Sequence, residues 1–128
     1  MNISVSAIII RKKDDKVFIA RRKENKEFSP GLWETVGGRV KEGESIEEAL
    51  KREVKEELNM GIKKFKYFRD YEYYDRIFKT FIVELEGEPA PSEPDFEEWG
   101  WFSKEEIEER NFAADCKERI IDYFNFKD

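Results

Sequence analysis

Apolar and polar positions alternate with period two from the start of the chain. Residues 3–10, ISVSAIII, read as a strand in which Ser4 and Ser6 alternate with Ile3, Val5 and Ala7, leaving one face for a pocket. Lys13, Asp14, Asp15 and Lys16 form a turn, and residues 16–22 form the hairpin partner, ending in Arg21 and Arg22. A polar loop over 23–32 carries a Ser29-Pro30-Gly31 turn, and a short strand over 33–36 enters the pair Gly37-Gly38. Residues 62–74 and 76–85 are long aromatic and β-branched strands with a turn at Asp75. Pro89, Pro91 and Pro94 make 86–96 a loop, followed by a short strand over 99–102.

The period changes to 3.6 in three places. Ser45 followed by Glu48 is a capping box, so a helix starts at Ile46. Asn59 suits its left-handed end. Ser103 with Glu106 opens a second, short helix to about residue 110, and residues 113–126 form a closing helix with Ile120, Ile121 and Phe124 as its core face. No repeat, low-complexity segment or linker interrupts the chain, which reads as one domain over 1–128.

The first helix has an odd apolar face. Ile46, Ala49, Leu50, Val54 and Leu58 form one arc, with Glu53 and Glu57 inside it and Glu56 at its edge. No Lys or Arg stands three or four positions from Glu53 or Glu57 to neutralise them within the helix. Two carboxylates ~6 Å apart repel by roughly 0.7 kcal/mol in water and about 3 kcal/mol at an effective dielectric near 20. A hard divalent cation would convert that repulsion into binding. The alternative is a solvated acidic helix face. Gly37-Gly38 suits close backbone approach, with a carbonyl joining a metal shell, and suits a tight turn equally well.

Composition narrows the chemistry. The chain has 128 residues and is 39% hydrophobic with 11 Phe, enough for a core, and no apolar run reaches the length of a membrane span. A single cysteine, Cys116, excludes an internal disulfide and fits a reducing cytoplasm. With no His in the chain, Cys–His pairs, Ser–His triads and His metal sites are excluded. A net charge of −6 disfavours broad capture of nucleic acid. A phosphorylated small molecule bridged by metal to the acidic cluster remains compatible.

Gly38, Glu44, Arg52, Glu53, Val54, Glu56, Glu57 and Met60 fall at the spacing of the Nudix hydrolase signature, and the chain resembles that family over nearly its whole length. Asn59 stands where the family has glycine, and Asn is the next-best residue for that backbone conformation. The resemblance implies an α+β fold, an α/β/α sandwich with a mixed β-sheet between helices. It implies Mg2+ or Mn2+ held by Glu53, Glu56 and Glu57 with the Gly38 carbonyl, and Arg52 orienting a carboxylate. Within the family the chain looks most like the MutT-type nucleoside triphosphate pyrophosphohydrolases. Glu98-Trp99-Gly100-Trp101 resembles a late segment whose Glu can reach the metal. Phe112-Ala113-Ala114-Asp115 resembles the segment that reads the base, and Arg22 matches a strand-end arginine near the phosphates.

The expected reaction is attack of water on a nucleoside triphosphate, giving a monophosphate and pyrophosphate, with Glu53 as the base and Glu44 or Glu98 as alternatives. Base choice would fall to Asp115 with Phe28 and Phe78. ADP-ribose hydrolases of this family carry a proline soon after the signature, whereas the first here is Pro89. The extra motifs of coenzyme A and NADH hydrolases are not visible. ADP-ribose or a dinucleoside polyphosphate is the alternative substrate. A non-catalytic nucleotide-binding module and a structural subunit are the rivals from other classes. The partner is a small nucleotide, with no stable nucleic-acid or membrane binding, and a homodimer is left open.

Overall fold

The computed structural model describes residues 2–25, 29–92 and 94–127. Strand β1 (Asn2–Arg11) lies at the middle of the sheet. It turns into β2 (Lys16–Arg22), and the chain continues through β3 (Trp33–Glu34), β4 (Val36–Arg39) and helix α1 (Ile46–Leu58). The hairpin β5 (Ile62–Tyr73) and β6 (Arg76–Leu85) follows, then β7 (Phe96–Phe102), α2 (Lys104–Glu108) and α3 (Cys116–Lys127). The strand path is β3-β2-β1-β6-β5, with β4 also on β1 and β7 also on β2. The β1–β6 pairing is parallel and the others antiparallel, so the sheet is mixed.

Both faces of β1 are covered, which explains its near-continuous apolar run. On one side Val5, Ala7, Ile9, Phe18 and Ala20 pack under Ala49, Leu50, Val54 and Leu58 of α1. On the other side Ile8, Ile10, Val17, Ile19 and Trp33 meet Ile107, Ile120, Tyr123 and Phe124 of α2 and α3. The result is the expected α/β/α sandwich. No helix among the described residues is long and apolar enough to cross a membrane.

The site originates in a split between two strands. β1 and β2 pair only through Ile9–Phe18, Ile10–Val17 and Arg11–Lys16. Beyond that point residues 33–39 take their places, β3 against Ala20 and Arg21 and β4 against Ser4 to Ala7. The chain changes partner at Thr35. For this reason the single strand expected over 33–36 is two short ones, and Gly37-Gly38 lies inside β4 rather than in a turn after it. A Cβ at Gly37 would stand 2.3 Å from the Val5 carbonyl oxygen, so the close backbone approach is the reading that holds.

Three other boundaries move. β7 starts at Phe96 instead of residue 99, because the end of β2 keeps pairing with it past a bulge at Arg21/Arg22. β5 ends at Tyr73, and Tyr74 turns with φ 56°. α3 starts at Cys116 instead of residue 113. Trp33 claims the preceding segment, donating to the Asn111 carbonyl and accepting from Ala113 N–H, and Ala114 has φ 49°. Helix α1 starts and stops as expected. Its capping box is complete, and Asn59 closes it at φ 53° with its side-chain amide donating to the Ala90 carbonyl at 2.7 Å.

Candidate active site

β4 runs beneath α1, and the two glycines let it come close for different reasons. The Gly37 N–H donates to Glu57 Oε2 at 3.2 Å. A Cβ on Gly38 would stand 2.3 Å from Glu53 Oε1, so the volume a side chain would need is filled by that carboxylate. Glu53 and Glu57 therefore point from the apolar arc toward the strand split, and neither faces bulk water; the Glu53 side chain is 13% exposed.

Arg52 organises the acidic residues around it. Its Nε and Nη2 grip both oxygens of Glu44, at 2.7 and 3.0 Å. Nη1 donates to Glu53 Oε1 at 2.8 Å and to Glu56 Oε2 at 3.3 Å, and Nη2 also reaches the Arg39 carbonyl at 3.0 Å. The two-pronged contact with Glu44 is the planar fork–carboxylate geometry that arginine provides and lysine does not. Together with the Lys41 N–H, Arg52 lowers the Glu44 carboxyl to about 2. Glu44 is thus a strut for Arg52, and a carboxylate so firmly ionised is a weak base.

The opposite holds for Glu57. Burial pushes its carboxyl well above the usual range, and the neighbouring Glu53 and Glu34 push it further. Glu34 is itself raised by burial, against the pull of Arg22, whose Nη1 donates to Glu34 Oε1 at 3.2 Å. Among the described residues no group of three or more acidic side chains forms a ready-made cage. The donor chemistry nonetheless suits a hard divalent ion: all ligands are oxygens, two crowded carboxyls share one place, and the most buried is held against ionisation. Glu56, 53% exposed, stands at the outer edge of this group.

The remaining expected residues are scattered over a cleft at the strand split. Its outer chamber, about 580 Å³, is lined by Arg22, Glu34, Tyr73, Tyr74, Arg76 and Phe78 among others. Its inner cavity, about 200 Å³, reaches Gly37, Gly38, Thr35, Cys116 and Arg119 and shares Glu34, Arg76 and Phe78 with the outer one. Arg22 and Phe78 are thus where a substrate could meet them, and Phe28 lies outside the described residues. Asp115 is ion-paired to Arg119 on the next turn of α3. Glu98 is not brought to the acidic cluster. It faces Arg21 across the β2–β7 pairing and is held by Arg21 Nε at 3.1 Å. Trp99 and Trp101 pair with Ala20 and Phe18 on the α1 side, so alternation turns Glu98 to the other face.

Sequence reasoning missed Glu34, Arg76 and Arg119. Glu34 follows Trp33 in a two-residue strand, too short for alternation to show which face it takes. Arg119 had a readable signal: it stands four residues after Asp115 and directly before Ile120, on the apolar side of its helix.

The model of the NUDIX domain matches residues 1–124. The chain belongs to the Nudix family. The likeness to MutT-type members also stands. The 8-oxo-dGTP diphosphatase of Buchnera aphidicola is 38% identical over 81 residues, covering 63% of this chain and 59% of that protein. A MutT structure from work on Aliivibrio salmonicida and Vibrio cholerae superposes with a TM-score of 0.80 at 25% identity, covering 95% of this chain and 94% of that one. The NAD-capped RNA hydrolase NudC of Pseudomonas aeruginosa is 28% identical over 125 residues, covering 95% of this chain but 44% of its own length. The Nudix chain thus spans roughly half the length of these curated relatives.

Proposed function

We propose that this Nudix protein is a metal-dependent hydrolase that cleaves a nucleoside triphosphate to a monophosphate and pyrophosphate. The observation that carries this reading is the Glu53–Glu57 pair, turned inward against Gly37-Gly38, two glycines that also line the inner cavity next to the chamber of Arg22 and Arg76. Glu53, Glu57 and the more exposed Glu56, with the Gly38 carbonyl, would hold Mg2+ or Mn2+. Such an ion supplies Lewis acidity and neutralises charge on the phosphate oxygens.

The chain's own residues account for the rest. Arg22 and Arg76 draw the polyphosphate along the outer chamber, where guanidinium forks match phosphate oxygens. Water attacks phosphorus, the anhydride P–O bond breaks, and pyrophosphate leaves with the bonding electrons. The proton of the water passes to Glu53, whose carboxylate Arg52 fixes from one side. Glu44 keeps Arg52 in place.

A second reading has a specific observation behind it. The outer chamber is roomy and carries Tyr73 and Tyr74 at its rim, the latter 84% exposed. Aromatic rings there suit a substrate bearing a ring on each side of the anhydride, and the NudC relative acts on such an end. Assaying nucleoside triphosphates, ADP-ribose and dinucleotides side by side with Mg2+ decides between them. Pyrophosphate release from triphosphates is expected; turnover of dinucleotides or ADP-ribose alone would replace the first reading by the second.

A further inference from the structure

Strand β5 closes one end of the sheet. It pairs with β6 on one side, and no strand among the described residues pairs with its other side. A strand of 12 residues with a free row of N–H and C=O groups is a template for another strand. Exposed apolar surface gathers at the same edge. Of the five large apolar side chains exposed among the described residues, Tyr67, Tyr73 and Tyr74 belong to β5 and its turn, and Phe126 packs on Phe68 of β5. Tyr67, near the middle of the strand, is 51% exposed. Apolar surface collected on one side of a molecule marks a contact surface.

The charges along β5 are sorted by sign. Its register on β6 slips between Tyr67 and Arg69, so Phe68 separates two regular runs, 64–67 and 69–73. Lys63, Lys64 and Lys66 lie before Phe68, and Asp70 and Glu72 lie after it. Two charges of the second run are satisfied within the chain. Lys79 Nζ holds Asp70 at 3.0 Å, and Arg69 reaches Asp122 at 3.6 Å and stacks on the Phe68 ring. Among the described residues no ion pair holds Lys63, Lys64, Lys66 or Glu72. Edge lysines and bulges ordinarily keep sheets apart. Lysines do so by meeting like charge. Here Lys64 and Glu72 stand four residues to either side of Phe68. An antiparallel copy turned about a two-fold axis at Phe68 therefore meets Lys64 with Glu72, twice. A parallel copy meets lysine with lysine.

We propose that the free edge of β5 is a dimer interface for a second copy of this chain, antiparallel about a two-fold axis at Phe68, so that two sheets join into one. Such an interface is self-complementary. Main-chain hydrogen bonds hold the two strands, and the paired Lys64 and Glu72 set their direction. Tyr67, next to the axis, is covered by the opposing strand. The box carboxylates lie on α1 and take no part in this edge, so association and turnover are measured separately.

Sedimentation equilibrium at about 100 µM, above the micromolar range of weak interfaces, tests it. The wild type is expected to be a dimer. Lys64→Glu and Glu72→Lys each set like charges together on both sides of the axis, and each should weaken the dimer by about tenfold or more. Mixed in equal amounts, the two variants make every such contact unlike again and should recover a heterodimer within about threefold of the wild-type affinity. Far-UV circular dichroism checks that each variant is folded. Should either fail to fold, Lys64→Gln and Glu72→Gln serve, each removing both attractions and weakening the dimer by about threefold. A monomeric wild type overturns the proposal. A dimer indifferent to these substitutions is built elsewhere on the surface and overturns it too. A mixture that stays monomeric refutes the antiparallel pairing.

Discussion

Adjacent glycines in β4 have opposite reasons to be glycine, and substitution separates them. At Gly37 a Cβ meets the Val5 carbonyl oxygen at 2.3 Å, backbone that cannot yield. Gly37→Ala should therefore lose about 1–3 kcal/mol of stability, as overpacking does, read by chemical denaturation. At Gly38 the Cβ meets only the movable end of Glu53, again at 2.3 Å. Gly38→Ala should melt close to the wild type yet lose roughly 10²-fold in turnover, because about 1 Å of displacement at a reacting group suffices for that. A stable, fully active Gly38→Ala would remove Glu53 from the chemistry. The two shifted carboxyls give opposite pH signatures. Glu57 is raised in the fold, so without metal its contribution is complete below the unfolded carboxyl value and is lost as pH rises through its folded value. Glu44 is lowered to about 2, so its contribution is present above the unfolded value and is lost as pH falls toward 2. Glu57→Gln keeps an acceptor for Gly37 N–H but has nothing to ionise. It should flatten the alkaline decline of Tm while cutting Mg2+-dependent turnover by roughly 10²–10³-fold, since a metal's several kcal/mol divide into factors of ten at about 1.4 kcal/mol each. Retained turnover in Glu57→Gln would dismiss the metal site.

Elements were legible wherever local chemistry fixed them. α1 could be read to the residue because Ser45, Glu48 and Asn59 satisfy its ends from within the sequence. Ser45→Ala should accordingly cost about 1 kcal/mol and lower Tm by roughly 2–6 °C, with activity per folded molecule unchanged. Elements fixed by partners were not legible. Nothing in residues 33–39 shows that β1 and β2 separate and that two different strands claim the segment. Nothing in residues 111–115 shows that Trp33 holds them out of α3. The site divides the same way. Glu53, Glu56, Glu57, Arg52 and Glu44 lie along one helix and its leading loop, and fixed spacing exposes them. Glu34 and Arg119 become neighbours of the cleft only through tertiary contact. Glu98 lies opposite Arg21, away from that group, for the converse reason, since a strand's face depends on a register that its own sequence does not carry.

At the scale of the whole molecule, the sheet between its helices holds a group of carboxyls that repel one another. Burial, Glu53 and Glu34 together hold Glu57 against ionisation, beside the apolar packing of α1 on β1. A divalent ion that binds only this folded arrangement should then stabilise the entire fold, because the ligands proposed for it come from α1 and β4 and are apart in the unfolded chain. One site filled at 100 times its dissociation constant adds about 2.7 kcal/mol. For a chain of 128 residues this amounts to a rise in Tm of roughly 5–16 °C. Mg2+ titrated into chelator-treated protein should produce such a rise in differential scanning calorimetry. The Glu53→Gln, Glu57→Gln double variant should start from an equal or higher metal-free Tm, having lost the repulsion, and should gain nothing from Mg2+. A double variant that still gains the full increment would place the ion elsewhere. One that unfolds without metal would show that the two carboxylates support the packing of α1, not that they are strained by it.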